Sequence, residues 1–148
     1  MEEFIIQGGA DFVKIAFEEI YGFPESTCHF GGYDTRSYVE ISSGNFKVRS
    51  QLYVSTGEIF EFYRKLSNAN EVLKGEIHFG NYESNLEVNL KYDSNGHLSV
   101  KGHFYELGEF GNELNFEFVS DQTYIQSTLR QLQLIAEKYG DMKGVKSN

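Results

Sequence analysis

Residues 113–140, ELNFEFVSDQTYIQSTLRQLQLIAEKYG, change their hydrophobic period at Asp121. Before that residue, apolar and polar side chains alternate, which predicts a strand with Leu114, Phe116 and Phe118 on its buried face. After it, the apolar residues recur at the spacing of one helical face: Ile125, Leu129, Leu132, Ala136 and Tyr139. Asp121 suits an N-cap and Gly140 a C′ position, so we predict a helix of about five turns over residues 121–139.

Alternating segments recur through the rest of the chain and predict further strands. They lie at residues 12–20, 37–41, 46–54, 73–79, 86–92 and 98–104. Short turn-forming sequences such as SSGN, GNYES and DSNG join several of them, which favours antiparallel pairing between chain neighbours. We therefore predict an α+β fold, in which a curved antiparallel sheet of six to eight strands carries the C-terminal helix on one face.

A second, shorter helix is predicted to begin at Ser55. Ser55 and Glu58 have the spacing of a capping box, in which each side chain bonds a backbone N–H of the first turn. Apolar residues then follow one helical face: Ile59, Phe62, Tyr63 and Leu66. The polar residues 67–70, SNAN, are interpreted as a linker after the helix. The helix itself is predicted to serve as a crossover between strands or to cover an edge of the sheet.

The length and composition favour one folded unit. The chain has 148 residues, of which 40% are hydrophobic, with 13 Phe and 10 Tyr. We predict a single domain over residues 1–148, with a core from about residue 12 to residue 140 and a flexible tail over 141–148.

The formal net charge of −9 disfavours nucleic acid or an anionic membrane as the main partner. A basic protein would be attracted instead. The single cysteine, Cys28, permits no internal disulfide, and the N-terminus begins with two glutamates and a short apolar run rather than a signal peptide. We expect a cytoplasmic protein.

The motifs predict no catalytic, cofactor-binding or metal-binding residue. Gly31 and Gly32, in the stretch HFGGYD, precede a strand, whereas phosphate loops precede a helix, so they predict a bend with positive φ. The histidines lack metal-site spacing, and His78 with His103 is interpreted as a surface pair. The turn at Asp93 resembles the start of a calcium loop, but Phe104 stands where that loop needs a glutamate.

Acidic and aromatic residues cluster around the connection between the last two strands. We call this set the acidic patch: Glu106, Glu109, Glu113, Glu117, Tyr105 and Phe110. Such a surface is typical of a solvated face, and it also fits an interface with a cationic protein, in which carboxylates pair with Arg or Lys and aromatic side chains anchor the contact. We predict that the acidic patch binds the partner.

The order of these elements resembles the WapI family of bacterial immunity proteins over about residues 31–141. The likeness lies in the segments GGYDTRSYVEI, STGEIFEFYRKL and NELNFEFVSDQTYIQSTLRQL, with the ending EKYGD. The resemblance implies a non-enzymatic cytoplasmic antidote. Such a protein binds the C-terminal toxin domain of a contact-delivered or cell-wall-associated toxin, and many toxins of this sort are nucleases.

Two other functions remain open from the residues. Phe and Tyr side chains inside a curved sheet could line a pocket for a small ligand. A large self-complementary apolar surface would instead make the chain a structural subunit of a homo-oligomer. For the antidote itself we expect a monomer or a weak homodimer, without a cofactor.

Overall fold

The computed structural model describes residues 1–145 and contains eight strands and two helices. The elements are β1 (Glu3–Gly8), β2 (Asp11–Ile20), β3 (Asp34–Ser43), β4 (Phe46–Ser55), α1 (Thr56–Val72), β5 (Glu76–Gly80), β6 (Leu86–Tyr92), β7 (Leu98–Tyr105), β8 (Glu113–Ser120) and α2 (Gln122–Tyr139). Strands β1–β4 form a first sheet and β5–β8 a second, each antiparallel and ordered as in the chain. The α+β prediction is confirmed, and its eight strands divide into two sheets.

The two sheets share one hydrophobic core with the helices. The ring of Phe4 on β1 lies 5.8 Å from that of Phe79 on β5, nearly perpendicular to it. Phe62 of α1 lies 5.1 Å from Phe79, so the helix enters the same cluster. Edge-to-face pairs of this kind add to the stabilisation from area burial alone. Phe4 and Ile6 are both buried, so the core includes the segment before residue 12.

Helix α1 begins where the sequence predicted and ends later. The Ser55 hydroxyl accepts the Glu58 N–H, and the Glu58 carboxylate accepts the Ser55 N–H, which confirms the capping box. The prediction that residues 67–70 form a linker is wrong, because the helix continues to Val72. Leu73 is its C-cap, with φ 52°, so placing Leu73 in a strand was also wrong. The helix leads from β4 to β5 and therefore crosses between the sheets.

Helix α2 packs along the outer edge of β1. Its N-cap is Asp121, as predicted, and Gly140, which was predicted at C′, is its C-cap. The Gln131 side-chain oxygen accepts the Ile5 N–H at 2.8 Å, and the Thr128 hydroxyl donates to the Ile5 C=O at 2.6 Å. These bonds satisfy backbone groups that an outer strand would otherwise leave exposed.

The segment after α2 folds back onto the strand entry at Gly32. Asp141 and Gly144 form an isolated β-bridge. The Gly32 N–H donates to the Met142 C=O at 2.7 Å, and the Val145 N–H donates to the Tyr33 hydroxyl at 3.0 Å. Of the tail predicted to be flexible, residues 141–145 make these contacts, and 146–148 lie outside the described residues.

Candidate functional site

The paired glycines form a structural junction. Gly31 and Gly32 have φ values of 97° and 61°, which confirms the predicted bend before β3. The Gly57 N–H donates to the Gly31 C=O at 3.1 Å, so the first turn of α1 is tied directly to the bend. The Thr56 hydroxyl accepts the Tyr33 N–H at 2.8 Å. The N-terminal groups of α1 are therefore used by the chain itself, and this stretch works as scaffold.

A polar cluster lies beside this junction. The Tyr82 hydroxyl donates to Asp34 Oδ1 at 2.8 Å, and the Tyr82 ring stacks on Phe30 with centroids 4.1 Å apart. Two causes raise the pKa of Tyr82 well above its ordinary value: burial is the larger, and the hydrogen bond to Asp34 is the second. Burial also raises the pKa of Glu58 to about 7, although its bonds to Ser55 oppose the shift. The capping box accounts for the position of Glu58 at the start of α1.

The acidic patch lies at one end of the second sheet. Tyr105 and Glu113 are cross-strand partners on β7 and β8, and the Glu106 N–H bonds the Asn112 C=O at 2.9 Å, closing the loop between them. Glu109 and Phe110 lie in this loop, where Phe110 is 71% exposed. The structure thus brings five of the six residues to one end of the sheet. Glu117 lies four residues beyond Glu113 along β8, which is about 13 Å from Glu113 at about 3.3 Å per residue.

The carboxylates of the acidic patch differ in their neighbours. Glu113 Oε2 lies 3.2 Å from Nε2 of His103, and Glu117 Oε2 lies 3.9 Å from Nζ of Lys101. Exposed pairs of this kind contribute little to stability. Glu106 and Glu109 have no ion pair within residues 1–145. The loop therefore presents negative charge that the described part of the fold leaves uncompensated.

A groove separates the acidic patch from the β3–β4 hairpin. It has a volume of about 220 Å³ and is lined by Phe46, Lys47, Val48, Phe104, Glu106, Asn112, Glu113 and Leu114. We refer to it as the β4 groove. Sequence reasoning missed the contribution of Phe46 to this groove. Its side chain lies on the same face of β4 as the buried Leu52 and Val54, but it is at the hairpin tip, beyond the core, and is 67% exposed. Sequence reasoning also missed Leu107, which is 51% exposed in the loop of the acidic patch.

Within the described residues, no three His, Cys, Asp or Glu side chains come together as a metal ion would require. No helix of residues 1–145 is both long and apolar enough to cross a membrane.

Comparison with known proteins identifies the family. No curated protein and no solved structure matches this chain. A family model described as the immunity protein WapI-like family matches residues 4–140, which is most of the 148-residue chain. The match includes β1, which sequence reasoning had not assigned, and both helices up to Gly140. The chain therefore belongs to the WapI-like family of immunity proteins.

Proposed function

We propose that this protein binds and neutralises the C-terminal toxin domain of a cognate, contact-delivered or cell-wall-associated bacterial toxin. The observation that carries the proposal is the family match over residues 4–140. The protein acts in the cytoplasm of the producing cell as a monomer or weak homodimer, by occupying the toxin rather than by altering it chemically. This reaction-free mode of action agrees with the use of the GGYD junction as scaffold.

The charge of the chain favours a basic target. The formal net charge is −9, and long-range attraction accelerates the association of an acidic inhibitor with a cationic toxin. A nuclease is the toxin class that fits best, because its substrate groove must be basic to hold phosphate groups. The carboxylates of the inhibitor would then occupy positions that phosphates occupy in the substrate.

The acidic patch is the surface that we assign to the toxin. Its loop combines the exposed side chains of Phe110 and Leu107 with the uncompensated carboxylates of Glu106 and Glu109. Aromatic side chains become anchors when a partner desolvates them, and surrounding charges select the partner. This combination is what an interface with a basic protein needs.

Co-expression with the cognate toxin domain tests the function. Where a toxin gene adjoins the gene of this protein, its C-terminal domain is expressed in bacteria with and without this protein. We expect growth arrest by the toxin alone, rescue by the pair, and co-purification of a stable complex. Continued arrest together with the absence of a complex would contradict the proposal.

A charge-reversal pair tests the location of the interface. Changing Glu106, Glu109, Glu113 and Glu117 to Lys should abolish neutralisation while circular dichroism stays unchanged. The control variant changes four other exposed glutamates to Lys: Glu18, Glu25, Glu71 and Glu137. Both variants have the same formal net charge of about −1, by gain of two charges at each site. Equal loss of affinity in the two variants would remove the acidic patch as the binding surface.

A small-ligand function has less support from the geometry. Buried side chains of both sheets fill the space between them. The β4 groove, at about 220 Å³, is smaller than the roughly 300–1,000 Å³ of drug-sized ligand sites. A larger depression of about 510 Å³ is open to solvent on the outer face of the first sheet.

A further inference from the structure

Strand β4 is an outer strand of the first sheet, and its pairing with β3 uses only one side of its backbone. The hairpin turn has two residues, Gly44 and Asn45, and Gly44 has φ 59°, as the first position of a type II′ turn requires. Ser43 and Phe46 then form a hydrogen-bonded pair, and backbone groups alternate in direction from there. The residues whose N–H and C=O groups point away from β3 are Lys47, Arg49, Gln51 and Tyr53.

Only the far end of this edge is covered. The Asn81 amide donates to the Tyr53 C=O at 2.9 Å, and the Gln51 C=O accepts a long bond of 3.4 Å from the Ser50 hydroxyl. Within residues 1–145, no hydrogen bond reaches the outward backbone groups of Lys47 or Arg49. Both residues are exposed. The hairpin half of β4 is therefore open to another strand.

Side chains cover part of the opposite edge of the same sheet. On β1 the outward groups of Ile5 bond Gln131 and Thr128 of α2, and the Gln7 C=O accepts the Ser120 hydroxyl at 2.6 Å. Within residues 1–145, side chains thus bond the β1 edge at Ile5 and Gln7, and none bonds the hairpin half of the β4 edge.

The open edge borders the β4 groove, which has a charged wall. Phe46, Lys47 and Val48 form the β4 side, and the opposite side includes Glu106 and Glu113. Among the described residues that line the groove, Lys47 is the only Lys or Arg, so carboxylates outnumber cations there. A strand lying against β4 would place alternate side chains toward this wall. Lys or Arg at those positions would be favoured, and Asp or Glu would be repelled.

We propose that β4 receives an extended basic segment of the toxin domain as an added strand of the first sheet. Its backbone bonds the outward groups of Lys47 and Arg49 and the outward N–H of Gln51, and its cationic side chains reach Glu106 and Glu113. Backbone pairing supplies affinity and the acidic wall supplies selectivity. This inference rests on the proposed function and adds the binding mode to it.

Amide hydrogen exchange measured by NMR tests the pairing directly. In the free protein, the amides of Lys47, Arg49 and Gln51 should exchange fast, whereas those of Val48 and Ser50, which bond β3, should exchange slowly. In the complex with the toxin domain, the three outward amides should slow by at least about a hundredfold. Val48 and Ser50 serve as internal controls, since their bonds are present in both states.

A proline variant supplies a second measurement. Arg49→Pro removes one outward N–H, a change that edge strands tolerate. Arg49→Ala is the matched control, because it also loses the contacts of the Arg49 guanidinium with Glu40 and Tyr38 but keeps the N–H. We expect Arg49→Pro to bind the toxin domain at least about tenfold more weakly than Arg49→Ala. Should the proline variant fail to fold, the exchange measurement on the unaltered protein decides.

Each outcome has a separate meaning. Slow exchange at the three outward amides in the complex supports added-strand binding. A complex in which those amides still exchange fast overturns it and leaves the proposed function standing. Absence of any complex overturns both. Protection that rises with protein concentration in the free protein, together with a dimer mass, assigns the edge to a second copy and overturns the inference.

Discussion

Replacing Gly32 by alanine should destabilise the protein by about 2–5 kcal/mol, and Gly44→Ala by only about 1–2 kcal/mol. The two glycines have nearly the same positive φ, 61° and 59°. A Cβ at Gly44 would meet nothing within 4 Å, so alanine there suffers only from the positive-φ backbone of the turn. A Cβ at Gly32 would lie 2.6 Å from the Gly57 nitrogen and would also collide with the Thr56 hydroxyl.

The difference between the variants isolates the close approach of α1 to the GGYD bend. The steric part, about 1–3 kcal/mol, is the ordinary range for overpacking a buried site. Urea unfolding monitored by circular dichroism gives the free energy of unfolding of each variant. The two values can be compared if the m values, the slopes of free energy against urea concentration, agree. Equal losses in Gly32→Ala and Gly44→Ala would refute the view that Gly32 is required for this approach.

Two further predictions concern α2 and α1. Thr128→Val should lower the free energy of unfolding by about 1–3 kcal/mol, because the buried Thr128 hydroxyl donates to the Ile5 C=O. The control variant, Thr123→Val, changes an exposed threonine and should alter the free energy of unfolding little. Unchanged urea midpoints for Thr128→Val would contradict this. Glu58 has a folded-state pKa of about 7, above the ordinary 4.5. Its contribution to folding stability is therefore fully present below about pH 4.5 and is lost as pH rises through about 7. Thermal melts between pH 5 and 8 should therefore show a pH-dependent loss in the unaltered protein that Glu58→Gln reduces; parallel curves would show that Glu58 does not titrate in this range.

Local signals in the sequence predicted the elements well. The change of period at Asp121 located the junction of β8 and α2, and the spacing of Ser55 and Glu58 located the start of α1. Both signals depend on residues within one or two turns of each other. Because such local signals do not depend on contacts with distant parts of the chain, they can be recognised in the sequence alone.

Tertiary contacts explain what the sequence did not reveal. Residues 67–70 looked like a linker because they are polar, but Asn70 Oδ1 accepts the Tyr92 hydroxyl at 2.7 Å, a partner on β6. Strand β1 was hidden because Ile5 interrupts the alternation of Phe4 and Ile6, and Ile5 lies against α2. Alternation identifies the buried face of a strand but not its sheet or its edge. The division into two sheets and the open β4 edge therefore required the structure.

Stoichiometric titration of toxin activity tests the central claim most directly. The toxin domain at fixed concentration is mixed with increasing amounts of this protein, and residual activity is measured after short and long incubation. Neutralisation by binding predicts a linear fall in toxin activity that ends at a fixed molar ratio and does not depend on incubation time. The acidic-patch variant should give no such fall, whereas its charge-matched control should keep it. Complete inactivation by far less than one equivalent, increasing with time, would show that the protein alters the toxin chemically and would contradict the account.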